Sequence, residues 1–153
     1  MKYAEITEKI IGASMEVHRI LGTGFQELIY QRALEKELHN VSLSFQREFE
    51  MDIYYKGDRI GGRRVDFLVE NCIMVELKAV VNFEDVHIAQ AMNYLEAYKL
   101  EIGLLINFGA KSLQFKRIHN NRLSNQENQL NPYNHGSDTK KCFYLSENKI
   151  EGK

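Results

Sequence analysis

Residues 73–80 place two charges inside the most hydrophobic stretch of the chain. The apolar side chains of this segment follow one another almost without a break, which is typical of a central strand covered on both faces of a sheet. Glu76 and Lys78 interrupt the run, and the period of two along a strand puts both on one face. Because burying a carboxylate without a partner costs several kcal/mol, such a pair indicates a site.

The patterns on either side of this strand predict a layered fold. Helical spacing of apolar residues predicts one helix before the break at residues 22–24 and a second helix after it. Aromatic and β-branched residues predict two strands before residue 70 and two after residue 101, with a third helix between 84 and 100. The predicted order is α-α-β-β-β-α-β-β, an α/β or α+β sheet with helices packed on it.

Composition divides the chain into a body and a tail. Residues 119–153 hold the only proline and seven asparagines, whereas residues 1–118 are rich in apolar side chains. We therefore predict one domain over 1–118 and an Asn-rich, weakly structured tail over 119–153, in which residues 141–145 could dock as a short strand.

Charge and cysteine content narrow the class of protein. A formal net charge of −1 does not indicate a nucleic-acid or membrane partner, although a nearly neutral protein can still have a local basic groove. Two cysteines cannot build a disulfide framework, which favours reduced thiols and a cytoplasmic location. No apolar run approaches the roughly 18 residues of a membrane span, so no membrane association is expected.

The preceding strand carries a second acid, Asp66. A three-residue connection over 70–72 would set Asp66 opposite Glu76 and Arg64 opposite Lys78, whereas a two-residue turn would split the acids across the sheet unless a bulge intervened. A site that uses both acids therefore predicts the three-residue turn. Asn71 is then a candidate for the left-handed conformation that asparagine tolerates.

Two opposed carboxylates repel each other unless a cation lies between them. Oxygen-rich, incomplete ligand sets of this kind suit Mg²⁺ or Mn²⁺ and leave positions open for phosphate oxygens. Lys78 beside such an ion could orient or deprotonate a water, or offset charge that develops on phosphate. The alternative is a buried salt-bridge network of Asp66, Glu76 and Lys78 without chemistry.

Two helices add polar residues to this face. Glu27 heads the apolar stripe of the second helix, although it could instead serve as a first-turn acid that complements the helix dipole. Gln90 and Tyr94 lie four residues apart on one face of the third helix, where a buried amide would need a partner such as a metal-bound water or a phosphate. A position at the rim of the site is the alternative for Gln90.

The segment GFQELIY at residues 24–30 resembles the signature of the GxxExxY family. The resemblance extends over about residues 5–118 and includes VELKA at 75–79 and GLLINFG at 103–109. That family is grouped with the PD-(D/E)XK nuclease superfamily. The resemblance implies a restriction-endonuclease-like mixed central sheet flanked by helices, and Mg²⁺-dependent hydrolysis of phosphodiester bonds.

The resemblance also implies roles for individual residues. The implied catalytic residues are Glu27, Asp66, Glu76, Lys78 and Gln90. The implied ligands of Mg²⁺ or Mn²⁺ are Glu27, Asp66, Glu76 and the backbone carbonyl of Leu77. Tyr94, the last residue of a Q-x-x-x-Y motif at 90–94, is implied to lie near the nucleic acid, and we expect Tyr30 and Arg64 to contact it too. Val65 stands where the superfamily name has proline, at a position that varies freely.

The expected partner is nucleic acid, with DNA favoured over RNA by family analogy alone, and a dimer is left open. The alternative is a catalytically silent nucleic-acid-binding or protein-interaction module on the same fold. Neutral net charge favours that alternative slightly, because a stand-alone nuclease usually needs a basic groove to neutralise phosphates. The candidates for such a groove are Arg47, Lys56, Arg59, Arg63, Arg64, Lys111, Lys116 and Arg117.

Overall fold

Helices and strands follow one another in the predicted order. The computed structural model describes residues 3–123. The elements are α1 (Ala4–Leu21), α2 (Glu27–Asn40), β1 (Phe45–Tyr55), β2 (Asp58–Val69), β3 (Ile73–Lys78), α3 (Asp85–Ala97), β4 (Ile102–Asn107) and β5 (Gln114–His119). Among the described residues, no helix combines the length and the hydropathy that crossing a membrane requires.

The strands form one mixed sheet in the order β1-β2-β3-β4-β5. β3 and β4 run parallel because α3 carries the chain back across the sheet between them, and the other neighbouring pairs are antiparallel. β3 lies in the middle, and its side chains are buried up to Lys78, which is half-buried. The predicted fold class, a mixed sheet with flanking helices, is confirmed.

Helices cover both faces of this sheet. One hydrophobic cluster joins α1 and α2 to the sheet, and it contains the fully buried stripe of α2 formed by Tyr30, Leu34 and Leu38. A second cluster joins α3 to the opposite face through Leu68, Met74 and Leu95. Successive residues of β3 alternate between the two clusters, as a strand buried on both faces requires.

The connection from β2 to β3 has the predicted length. Val69 pairs with Ile73, which leaves residues 70–72 as a three-residue connection. Asn71 is left-handed, with φ 55°, and Glu70 before it is left-handed too, with φ 50°, which the sequence did not predict. The predicted three-residue turn is therefore confirmed, and the pairing of β2 with β3 ends at Phe67 and Val75, one residue short of the predicted Asp66–Glu76 pair.

The alternation of side chains along β2 reverses at Asp66. Phe67 packs in the cluster under α1 and α2, whereas Val65, two residues earlier, packs in the cluster under α3. A regular strand would place both on the same face. Residues of β2 that precede Asp66 therefore present the opposite faces from those that a continuous period of two predicts.

β1 reverses at the same level. Phe45 packs against the α1–α2 cluster and Phe49 against the α3 cluster, although four residues along a regular strand should return to the same face. Glu48 lies between them with a left-handed φ of 51°, and the pair Glu48–Asp66 is missing from the otherwise continuous register there. The two strands thus change face together at one irregular pair.

Contacts with the body continue past residue 118, the predicted end of the domain. β5 includes His119, and the backbone N–H of Asn120 donates to the carbonyl of Glu101 at 2.8 Å. The Asn120 side chain also donates to the carbonyl of Leu95. The predicted tail strand at 141–145, and the rest of the tail beyond residue 123, lie outside the described residues.

Candidate active site

β2 and β3 separate soon after the turn that joins them. Only the last three residues of β2 pair with β3, whereas β3 pairs with β4 along its whole length. Residues 76–78 of β3 therefore have a neighbouring strand on one side only. We call the opening between residues 63–66 of β2 and residues 76–78 of β3 the strand fork.

Asp66 lies at the point where the strands part. Its Oδ2 accepts a hydrogen bond of 2.8 Å from the backbone N–H of Leu77, and its Oδ1 accepts one of 2.7 Å from the Gln31 side chain. The carboxylate therefore accepts a hydrogen bond from a β3 N–H that would otherwise donate to a carbonyl of the neighbouring strand. Both oxygens of this half-buried acid therefore have a protein donor.

Gln31 was missed by the sequence reasoning. It is buried on α2, and its Oε1 has no hydrogen-bond partner among the described residues. The available signal was its spacing: Gln31 follows Glu27 by one helical turn and so lies on the same face of α2. The structure gives Gln31 the contact with Asp66, whereas Glu27 is the exposed first residue of the helix.

Glu76 is the least satisfied charged group in the strand fork. It is 4% exposed, and its Oε1 has no hydrogen-bond partner among residues 3–123. Burial, and then the charge of Asp66, raise the pKa of Glu76 to about 7, against the opposing effects of Arg63, Lys78 and a hydrogen bond from the Asp66 backbone. Near neutral pH this carboxyl therefore exchanges a proton readily and would gain from a bound cation.

Arg63 reaches this acid from β2. Its Nη2 lies 3.6 Å from Oε2 of Glu76, and its guanidinium lies over the ring of Tyr94, 5.1 Å from the centroid. The reversal at Asp66 explains why Arg63 faces the site. Arg64 is exposed and lies level with Glu50 of β1, on the opposite face of the hairpin from Arg63.

The prediction that Arg64 lies opposite Lys78 is wrong, because pairing of β2 with β3 stops before either residue. Lys78 ends β3, and its carbonyl accepts a hydrogen bond of 2.8 Å from the N–H of Phe108. Its side chain is half-buried and forms no ion pair with any residue in the described part of the chain. The charge of Lys78 nevertheless acts on Glu76, where it opposes the rise in pKa.

Asn107 holds the chain that leaves Lys78. It is fully buried; its Oδ1 accepts from the N–H of Val80 at 3.0 Å, and its Nδ2 donates to the carbonyl of Val80 at 2.8 Å. Gly109 packs so closely that a Cβ there would lie 2.4 Å from the Val80 carbonyl oxygen. These contacts fix the backbone just beyond the lysine. Neither residue carries a charge or a periodic signal by which the sequence could have indicated this role.

α3 supplies the outer wall of the strand fork. Tyr94 is half-buried and packs against the α3 cluster with Arg63 over its ring. Gln90 lies one turn earlier on the same face of the helix, is exposed, and forms no hydrogen bond with another described residue. The structure thus brings Tyr94 into contact with the site and leaves Gln90 at its rim.

The expectation that Tyr30 contacts nucleic acid is wrong for a physical reason. Tyr30 is 0% exposed, its ring stacks on Phe108 at 4.7 Å, and its hydroxyl donates to the carbonyl of Gly22 at 2.7 Å. The same hydroxyl accepts from the N–H of Phe25. Tyr30 therefore anchors the loop before α2 in the core, where no ligand reaches it.

The oxygen donors of the strand fork fit a hard cation as an incomplete set. Within residues 3–123, no three acidic, histidine or cysteine side chains gather closely enough to hold a metal, so Glu27 does not join Asp66 and Glu76 in such a group. The N–H of Leu77 points at Asp66, and the N–H and C=O of a strand residue point the same way, so its carbonyl opens to the fork. Two carboxylates and one carbonyl leave several positions to water, as Mg²⁺ usually does.

Comparison with known proteins shows the family to which the chain belongs. The sequence matches the model of the family described as PD-(D/E)XK nuclease superfamily over residues 4–118. The chain belongs to the PD-(D/E)XK nuclease superfamily. Its mixed sheet with flanking helices is accordingly of the restriction-endonuclease-like type.

Other comparisons add little to the superfamily assignment. No curated protein matches the chain. One solved structure, described as "Crystal structure of SSO0001", is similar with 21% sequence identity and a TM-score of 0.49, and the match covers 84% of this chain and 68% of that one. A likeness at this level carries no argument about function.

Proposed function

We propose that this superfamily member is a Mg²⁺- or Mn²⁺-dependent nuclease that hydrolyses phosphodiester bonds, with DNA as its substrate. The observation that carries the proposal is the state of Glu76, which is buried beside Asp66 with one oxygen that has no hydrogen-bond partner within the described residues. A divalent ion would supply the missing charge and so offset the cost of burying the carboxylate. The substrate preference rests on family analogy.

Each residue of the strand fork has a distinct role in this proposal. Asp66, Glu76 and the carbonyl of Leu77 would hold the ion, which supplies Lewis-acid stabilisation of phosphate and lowers the pKa of a bound water. Lys78 would hold that water or take its proton, and its charge would offset the charge that develops on phosphate. Gln90 at the rim would orient water or substrate.

Membership in the narrower GxxExxY family belongs to the same proposal. Gly24 adopts a φ of 103°, which favours glycine, and Tyr30 ties down the loop between α1 and α2. Together they fix the start of α2 and hence the place of Glu27 at its first turn. We propose Glu27, one helical turn from the residue that binds Asp66, as a third acid that acts on the ion through a water molecule rather than as a direct ligand.

Cleavage of end-labelled DNA and RNA, single- and double-stranded, tests the proposal. We expect cutting in Mg²⁺ or Mn²⁺ but not in EDTA, and loss of cutting in Lys78→Ala with the fold unchanged. Lys9→Ala is the matched control, because Lys9 is an exposed α1 residue that pairs with Glu5. Unchanged rates in Lys78→Ala would contradict the site. RNA cut in preference to DNA would contradict the substrate alone.

The second candidate function is a silent nucleic-acid-binding or protein-interaction module. The observation that favours it is that Arg63, a fixed cation, already lies beside Glu76, while the described residues offer no complete metal-binding group. Salt-dependent binding of nucleic acid without cleavage, and no effect of Mg²⁺ on the melting temperature, would select this module.

A further inference from the structure

Arg63 occupies the strand fork without being well bound there. The 3.6 Å between its Nη2 and Glu76 exceeds the usual length of an N–H···O hydrogen bond. Its Nε is buried and has no hydrogen-bond partner among residues 3–123, yet 38% of its side chain remains exposed. A guanidinium offers five donors in a rigid fork, and Arg63 forms no hydrogen bond of ordinary length with another described residue.

We propose that Arg63 holds a phosphate of the nucleic-acid backbone in the strand fork. This inference rests on the proposed function and adds to it the residue that receives the substrate. In the metal-free protein Arg63 stands in for the cation that Asp66 and Glu76 bind. With a divalent ion in place, its guanidinium turns to the phosphate that lies beside that ion.

The balance of charge at the site supports this role. Asp66 and Glu76 face Arg63 and Lys78, so two acids meet two fixed cations. A bound divalent ion makes the site strongly positive and repels the guanidinium that had approached Glu76. An anion then becomes the favoured partner of Arg63, and a planar guanidinium matches phosphate oxygens in a bidentate manner.

The geometry supports the same role. Tyr94 lies beneath the guanidinium and limits its plane, so less freedom is lost when a phosphate binds. The Arg63 side chain is 38% exposed, so a ligand can reach part of its guanidinium from solvent. An arginine kept only for folding would be expected to bond its carboxylate at closer range and to satisfy its Nε.

Binding of fluorescently labelled oligonucleotides tests the proposal in Ca²⁺, a hard cation that takes the same oxygen ligands. Single- and double-stranded DNA are titrated by anisotropy against wild type, Arg63→Gln and Arg63→Lys at several salt concentrations. We expect Arg63→Gln to weaken binding about tenfold or more and to reduce the salt slope by about one. Arg63→Lys should keep the slope and lose part of the affinity.

Two further arginine variants sharpen the test. Arg19→Gln is the matched control, because Arg19 is exposed on α1 and already paired with Glu16. Arg64→Gln tests the alternative that the neighbouring arginine, on the opposite face of the hairpin, binds the phosphate instead. In parallel, the rise in melting temperature with Mn²⁺ should be at least as large in Arg63→Gln as in wild type, since the variant removes a cation that competes with the metal.

Each outcome bears on the proposal separately from the proposed function. Unchanged affinity and salt slope in Arg63→Gln, or a loss carried by Arg64→Gln instead, would overturn the role of Arg63 while leaving the nuclease intact. A variant that loses its Mn²⁺ response but binds DNA normally would make Arg63 structural. If wild type neither binds nucleic acid nor responds to metal, the proposed function itself fails, and the role of Arg63 with it. Arg63→Lys decides the matter if Arg63→Gln does not fold.

Discussion

Replacing Glu76 with glutamine measures the electrostatic cost built into the strand fork. Burial, and then the charge of Asp66, raise the pKa of Glu76 from 4.5 to about 7. The folded protein therefore keeps this proton over a pH range in which the unfolded chain has lost it. Since each tenfold change in a proton-binding constant is worth about 1.4 kcal/mol, the difference corresponds to about 3 kcal/mol.

The sign of the effect follows from which state binds more protons. Below about pH 4.5 both states carry the proton, and Glu76 imposes no penalty on the fold. As the pH rises toward 7 the unfolded state releases its proton first, so the free energy of unfolding falls; above about pH 7 the loss is complete. Glutamine has no proton to lose. Glu76→Gln should therefore be more stable than wild type by about 3 kcal/mol at about pH 8, and by little at about pH 5.

Urea unfolding in EDTA at several pH values checks this prediction. The quantity to follow is the difference in free energy of unfolding between variant and wild type, because it cancels the other carboxyl groups. Glu8→Gln, at an exposed position of α1, should show no such trend. At about pH 8, Mg²⁺ should restore stability to wild type but not to Glu76→Gln. A difference that does not depend on pH, or a variant less stable at about pH 8, would show that burial of Glu76 does not destabilise the fold.

Three further substitutions test the hydrogen bonds of Asp66 and the packing of the backbone just beyond Lys78. Asp66→Asn should keep the melting temperature but lose its rise with Mg²⁺, because the amide oxygen can still accept the β3 N–H and the free Oε1 of Gln31 can accept from the new amide. Gln31→Leu should lower the free energy of unfolding by about 1–3 kcal/mol in urea titrations, since it removes a hydrogen bond to a charged group. Gly109→Ala should destabilise by about 1–3 kcal/mol or more and reduce cleavage, because its Cβ would overlap the Val80 backbone. Gly12→Ala, with open space around its Cβ, should be neutral or stabilising, and equal losses in both glycine variants would contradict the steric argument.

Much of the fold could be predicted from local pattern. The apolar run of β3, the stripe of α2 and the order of elements each follow from a period that few residues break. Even the three-residue connection between β2 and β3 was predictable, because a two-residue turn without a bulge would put Asp66 and Glu76 on opposite faces of the sheet. Asn71 then took the conformation expected of it. These features depend on neighbours in sequence.

The arrangement of the site could not be predicted from the periodic pattern of apolar residues. Arg63 rather than Arg64 faces Glu76 because β1 and β2 reverse their faces at one irregular pair, where Glu48 adopts a left-handed φ. Glutamate rarely adopts a left-handed φ, so a prediction based on the period of two along a strand could not include this break. Gln31 was missed for a related reason: its partner is 35 positions away in sequence, and its spacing alone could not distinguish it from a surface glutamine.

Three properties of the strand fork have a common origin in Asp66. By accepting the N–H of Leu77, its carboxylate replaces a strand carbonyl, so the β2–β3 ladder stops and the fork opens. The break in alternation at the same residue turns Arg63 toward Glu76. Its charge also contributes to the raised pKa of Glu76. A neutral acceptor could open the strands, but a carboxylate there adds a second negative charge, which together with burial raises the pKa of Glu76 and which a bound metal ion would offset.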